Sequence, residues 1–152
     1  MNEKAVEAED WRLRVFDSLS FPTLILRPDK TIVTANQKLL DKFGVLMKDI
    51  VDKACHEVFY NSKEPCSGDI CPLPGVLANG EGHSILRQVT LSNGEKGWED
   101  RVFSPIKDDA SNIIYIMESL RDVTRVKTLE RALEETREFL EKVIQSSASA
   151  IV

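Results

Sequence analysis

The residues best suited to chemistry are concentrated in one short segment, between positions 55 and 71. This segment contains all three cysteines of the chain and one of its two histidines, in the spacing C-H-x9-C-x4-C. Thiolates and imidazoles are soft to borderline ligands that suit zinc, copper(I) or an iron–sulfur cluster, and four such groups can close a tetrahedral site. The pattern therefore predicts a metal site formed by Cys55, His56, Cys66 and Cys71.

The same segment has two other interpretations, which the sequence leaves open. In the first, Cys55 is a small buried apolar residue, and Cys66 and Cys71 are free thiols or an occasional disulfide, because x4 is not one of the tight spacings typical of zinc sites. In the second, the thiols form a redox switch. An odd number of cysteines in a chain expected to be cytoplasmic disfavours a purely structural disulfide framework.

Composition and charge limit the classes of function that the chain can have. Its 152 residues carry a formal net charge of −5 without a cluster of Lys and Arg, so we expect no direct binding to nucleic acid. No apolar run approaches the roughly 20 residues of a membrane-spanning helix, and the acidic N-terminus lacks the pattern of a signal peptide. We therefore expect a cytoplasmic fragment without membrane contact, with one globular core and a helical extension.

Hydrophobic periodicity predicts the elements that must position the cysteine segment. An amphipathic helix is predicted over residues 1–20, a second helix is capped by Asn36 and ended by Gly44, and a short helix covers 73–78. Residues 45–72 show no regular pattern. Runs typical of strands, separated by turn residues, lie at 23–26, 31–34, 84–91, 98–106 and 113–120. This order predicts an α+β fold with a five-stranded antiparallel sheet and short helices on one face.

The last segment of the chain, residues 125–152, follows a heptad pattern. Apolar residues recur at a and d positions among Glu, Lys and Arg, which is typical of a helix that pairs with another helix. The seam of a homodimer is expected to contain Val126, Leu129, Leu133 and Leu140.

The chain resembles a PAS domain over residues 11–124. The resemblance is carried by VFDSL at 15–19, IVTAN at 32–36, GWEDRVFSPI at 97–106 and RDVT at 121–124. It implies the PAS fold for residues 21–124, between a lead-in helix (1–20) and a C-terminal coiled-coil helix (125–152). In PAS proteins an Asp-x-Thr couples the core to the next helix, so Asp122 and Thr124 are expected to couple the signal. The cysteine segment also resembles a Cys-rich insert found in PAS domains of anaerobic bacteria.

The resemblance implies a sensory module of a larger bacterial or archaeal signalling protein, such as a sensor histidine kinase, rather than an enzyme. The module would relay a ligand, metal or redox signal through its C-terminal helix; the alternative is a dimerisation and relay module that senses nothing. Expected partners are a second copy, held through the terminal helices, and neighbouring PAS and output domains, since residues 139–152 resemble the start of another PAS domain.

The expected cofactor is zinc or an iron–sulfur cluster at the cysteine segment, whereas haem and flavin are not expected. Haem-binding PAS domains offer a histidine on the helix before the third strand, and residues 73–78 contain none. His83 opens the third strand and is a weaker haem ligand by position. Cys55 does not lie in the sequence motif of flavin photosensors.

Overall fold

The computed structural model describes residues 3–67 and 70–150, with the side chains of residues 3–9 outside the description. The helices are α1 (Glu3–Ser18), α2 (Gln37–Phe43), α3 (Met47–Ile50), α4 (Cys55–Tyr60), α5 (Leu73–Asn79) and α6 (Thr124–Ala150). The strands are β1 (Thr23–Leu26), β2 (Ile32–Ala35), β3 (His83–Thr90), β4 (Lys96–Lys107) and β5 (Ile113–Asp122). The fold therefore combines one set of strands with the short helices α2 to α5 and the longer helices α1 and α6.

The five strands form a single sheet in the order β2-β1-β5-β4-β3. Strand β1 is antiparallel to β2 on one side and to β5 on the other, although β5 is last in sequence. The N-terminal and C-terminal strands of the domain thus lie side by side in the sheet. The predicted α+β fold with a five-stranded antiparallel sheet is confirmed.

The core is formed where the helices between β2 and β3 cover the sheet. Buried apolar side chains from β1, β2, β4 and β5 join those from α2, α3 and α5, and burying each Leu or Ile contributes about 1.5–3 kcal/mol. The fully enclosed members include Leu26, Ile32, Leu39, Leu73 and Ile116. Cys55 and Cys71 pack, partly buried, against this cluster, so the core fixes two of the three thiols.

Asn36 connects the first strand to the first short helix. Its side-chain oxygen accepts hydrogen bonds from the N–H groups of Leu39 (3.1 Å) and Thr23 (2.9 Å), and its amide donates to the carbonyl of Phe21 (2.9 Å). Asn36 is fully buried, so these bonds also satisfy its own polar groups. Helix α2 ends at Gly44 in the left-handed conformation, which confirms the predicted start and stop signals.

The sequence pattern was wrong in one region, since residues 45–72 contain helices α3 and α4. These helices have four and six residues, which is shorter than the window in which helical periodicity can be recognised. The heptad segment forms one continuous helix to Ala150. Of the stretch 139–152 that resembles the start of another PAS domain, residues 139–150 are therefore helical, and residues 151 and 152 lie outside the described part. No helix in the described ranges is long and apolar enough to cross a membrane.

The chain divides into two compact units. The first comprises Met1–Arg87 and Asp100–Arg121 and contains the hydrophobic core and all three cysteines. The second comprises Gln88–Glu99 and Asp122–Val152 and contains helix α6 together with the turn between β3 and β4. We call them the core unit and the helix unit.

Candidate functional site

The three cysteines, which are spread over seventeen residues of sequence, line one small cavity in the core unit. We call this cavity the cysteine pocket. It is lined by Leu26, Cys55, Phe59, Tyr60, Cys66, Ile70, Cys71, Leu73, Arg101, Phe103 and Glu118. The space open to the centre of a water molecule is about 20 Å³, which is enough for about one water or a single ion.

Local structure on both sides of the loop brings the thiols to the pocket. Cys55 begins helix α4, and its N–H donates to the carbonyl of Lys30 at 3.0 Å, which anchors the start of this helix beside the β1–β2 turn. The carbonyl of Ser67 accepts hydrogen bonds from the N–H groups of Ile70 and Cys71, both at 3.0 Å. Cys71 therefore precedes helix α5 in a defined position.

His56 lies outside the lining of the pocket, although it follows Cys55 directly. Successive side chains on an α-helix point about 100° apart, and His56 does not line the pocket. It is buried, with 7% of its surface exposed, and its Nδ1 has no hydrogen-bond partner within the described ranges. Three of the four predicted metal ligands therefore line one pocket, and the fourth does not.

No metal-binding group is preformed in the part of the chain that the structure describes. No three His, Cys, Asp or Glu side chains are arranged there so that they could hold a metal ion. The cysteines are free thiols rather than disulfides. The metal at Cys55, His56, Cys66 and Cys71 therefore stays a prediction.

The pocket disfavours negative charge on the thiols. Burial raises the pKa of Cys55 to about 12, with a further contribution from the negative charge of Glu118. Burial also raises the pKa of Cys71, although a hydrogen bond from the backbone of Leu73 partly opposes this effect. Both thiols are therefore protonated at neutral pH, and a soft cation that binds them must displace protons.

Charged side chains form one wall of the pocket and were missed by the sequence analysis. Arg101 and Glu118 come from β4 and β5, their side chains are only 14% and 8% exposed, and Nη1 of Arg101 lies 3.5 Å from Oε1 of Glu118. Strand alternation contains the signal that could have found Glu118, because it has the same parity as the buried Ile116 and Leu120. A charged residue at such a position requires a partner.

A second constellation, in the helix unit, contains the residues predicted to couple the signal. Oδ1 of Asp122 accepts from the N–H of Thr124 at 2.9 Å, and Oγ1 of Thr124 accepts from the N–H of Trp98 at 2.9 Å. The carbonyl of Trp98 also accepts from the N–H of Val123 at 2.9 Å. We call these four residues the helix junction, because they fix the point where helix α6 begins.

The close packing at the junction requires a glycine at position 97, for which the sequence predicted no role. A Cβ at Gly97 would lie 2.6 Å from Cδ2 of Leu91 and 2.8 Å from Oγ1 of Thr124, distances that Cβ atoms essentially never show. Strand β4 can therefore approach the start of α6 this closely because Gly97 has no side chain.

The predicted dimer seam is exposed in the single chain. Val126, Leu129, Leu133 and Leu140 are each more than half exposed, and the described part of helix α6 contains no buried residue. Ion pairs within the helix, such as Arg131 with Glu135, occupy other positions. The apolar stripe is thus available to a partner, whose identity stays a prediction.

Comparison with known proteins agrees with this architecture. A family model described as the PAS fold matches residues 16–128, about three quarters of the chain. This chain belongs to the PAS fold family. A PAS domain is a sensory module and is not itself a catalyst.

Solved structures show the same PAS fold at low sequence identity. An RNA-binding light-oxygen-voltage receptor matches with a TM-score of 0.66 and 18% identity, over 91% of this chain and 39% of the receptor chain. The PAS domain of Bordetella pertussis BvgS matches with a TM-score of 0.59 and 19% identity, over 88% and 99% of the two chains. A sensory box sensor histidine kinase from Vibrio cholerae matches with a TM-score of 0.56 and 19% identity, over 81% and 98%.

Proposed function

We propose that this PAS domain senses a soft metal ion or an oxidant of thiols at the cysteine pocket, and relays the change through helix α6. The observation that carries this proposal is the convergence of all three thiols on one cavity. Thiolates are soft ligands that suit zinc or copper(I), and two thiols that line one cavity offer the atoms for a disulfide.

The two signals would act on the same sulfur atoms by different chemistry. A soft cation would replace the thiol protons and place positive charge beside Glu118. An oxidant such as hydrogen peroxide would convert two thiols into a disulfide, slowly at Cys55 and Cys71 because burial leaves little thiolate there. The peroxide would take up the two electrons and two protons as it is reduced to two waters. Either change alters the charge or the separation of groups that pack against the core.

The relay is supported by the continuity of β5. This strand carries Glu118 at the pocket and ends with Asp122, whose carboxylate bonds to Thr124 at the start of α6. The exposed seam of α6 supports pairing with a second copy, in which a small change in helix register would reach a neighbouring output domain. We infer that the parent is a signalling protein of the sensor histidine kinase kind.

A second candidate is a module that dimerises and relays movement but senses nothing. The observation in its favour is that no three potential ligands are preformed to hold a metal within the described residues. In this case the thiols would be packing residues, and the function would depend on the seam and the helix junction alone.

Elemental analysis and thiol counting distinguish the candidates. We would purify the chain without oxygen, together with a Cys66→Ser variant, and measure bound metal and free thiols before and after hydrogen peroxide. About one metal ion per chain that is lost in the variant, or the loss of two thiols in wild type but not in the variant, would support sensing at the pocket. If no metal is bound and all three thiols remain free after hydrogen peroxide, the result would support the second candidate, a relay module that senses nothing.

A further inference from the structure

Tyr60 joins the helix that carries Cys55 to two arginines of the sheet. Its hydroxyl oxygen accepts a hydrogen bond from Nη1 of Arg87 at 2.9 Å and another from Nη1 of Arg101. Both guanidinium groups also lie over its ring, at 5.8 Å and 5.5 Å from the centroid. We call this group of three residues the Tyr60 clasp.

The clasp and the pocket share helix α4. Cys55 is its first residue and Tyr60 its last, and both line the cavity. A helix of six residues is about 9 Å long and is held by its own backbone bonds, so its two ends move together. A displacement at Cys55 must therefore also displace the hydroxyl of Tyr60, unless the helix unwinds.

On the other side, the clasp reaches three neighbouring strands of the sheet. Arg87 belongs to β3 and Arg101 to β4, and Arg101 is paired with Glu118 of β5. Arg101 is mostly buried, so water can replace its partners only in part. Its position therefore depends on both Tyr60 and Glu118.

We propose that Tyr60 is a positioning residue that transmits a change at the cysteine pocket from helix α4 to strands β3 and β4. This inference rests on the proposed function, in which the pocket is the sensing site. The ring of Tyr60 contacts both guanidinium groups, but the transmission depends on its hydroxyl oxygen, which accepts a hydrogen bond from each of them.

A matched pair of variants isolates that oxygen. Tyr60→Phe removes the hydroxyl and keeps the ring, and Tyr115→Phe makes the same change at a tyrosine of equal exposure (38%) that lies outside the pocket. In the free protein, amide hydrogen exchange measured by NMR should become about tenfold faster in α4 of Tyr60→Phe, because a hydrogen bond to a charged group is lost. Unchanged exchange in α4 would contradict the inference that the hydroxyl of Tyr60 holds this helix to the two arginines.

The second measurement tests transmission, with cadmium(II) as a soft cation. In wild type and in Tyr115→Phe, cadmium should change amide exchange in α4 and also in β3 and β4. In Tyr60→Phe the change should persist in α4 and fall at least severalfold in the strands. An equal response of the strands in all three proteins would overturn the role of Tyr60. If cadmium changes nothing in wild type, sensing of a cation fails, while the free-protein comparison still decides whether the clasp exists.

Discussion

The cysteine pocket and the helix junction are built by different means. The pocket collects side chains from α4, the loop before α5, β4 and β5, and its properties arise from burial and charge, as the raised pKa of Cys55 shows. The junction is made of hydrogen bonds between side chains and backbone N–H groups, and of close packing around Gly97. The pocket therefore depends on burial and charge, whereas the junction depends on hydrogen bonding and on the absence of a side chain at Gly97.

Thiol labelling gives the largest expected effect and tests whether the cysteine pocket suppresses ionisation of Cys55. Cys55 should be the slowest thiol to react with iodoacetamide in the folded protein. The thiolate is the reactive form, and a pKa of about 12 in place of 9.0 reduces its population at pH 8 by about a thousandfold. Its rate should increase about tenfold per pH unit. The Cys55 thiol ionises at lower pH in the unfolded chain than in the folded protein. Its ionisation therefore lowers the free energy of unfolding as the pH rises from about 9 towards 12.

Timed quenching and mass spectrometry measure the labelling, and the same reaction in urea is the control. In urea the three thiols should react at similar rates, because burial is lost. Labelling of Cys55 as fast as Cys66 in the folded protein at pH 8 would show that the pocket does not bury it.

The buried charge pair is the next test of the pocket. Arg101→Met should lower the free energy of unfolding by about 3–5 kcal/mol, because it removes the buried cation beside Glu118. Arg131→Met, which breaks an exposed pair with Glu135 on α6, should cost less than about 1 kcal/mol. Urea denaturation measures both. Similar losses for the two variants would mean that the pocket wall is hydrated like a surface.

Gly97 gives the corresponding test of the junction. Gly97→Ala should cost about 1–3 kcal/mol, because the new methyl group collides with Leu91 and Thr124. Gly75→Ala is the matched control: the space around Gly75 in α5 is open, so this change should stabilise by about 0.5–1 kcal/mol. The shift of the urea midpoint should thus have opposite signs in the two variants, and equal signs would argue against close packing at the junction.

The smallest expected effect concerns the carboxylate at the start of α6. Asp122→Ala should destabilise the first turn of α6 by about 1 kcal/mol through loss of its bond to the N–H of Thr124. Asp108→Ala removes similar bonds to Ala110 and Asn112 in the β4–β5 turn and should leave α6 unaffected. Amide exchange of residues 124–128 measures the difference. Unchanged amide exchange in Asp122→Ala would show that Asp122 does not stabilise the start of α6.

Much of the fold could be predicted from the sequence, because its signals are local. The capping residue Asn36, the stop at Gly44 and the strand runs were assigned correctly, and the Asp-x-Thr pattern directed attention to Asp122 and Thr124. Helices α3 and α4 could not be predicted, because a helix of four or six residues has too few turns to show a period. The strand order, with β1 between β2 and β5, has no local signature.

The candidate site divides in the same way. The sequence by itself determined which chemistry is available, since the three thiols are concentrated in one segment. It also determined the exposed apolar stripe of α6, since the heptad pattern is continuous. Only the tertiary structure decided that Arg101 and Glu118 line the pocket and that His56 does not. Side-chain direction on a helix and pairing between strands depend on packing over long sequence distances. Burial, which raises the pKa of Cys55 and Cys71, follows from that packing alone.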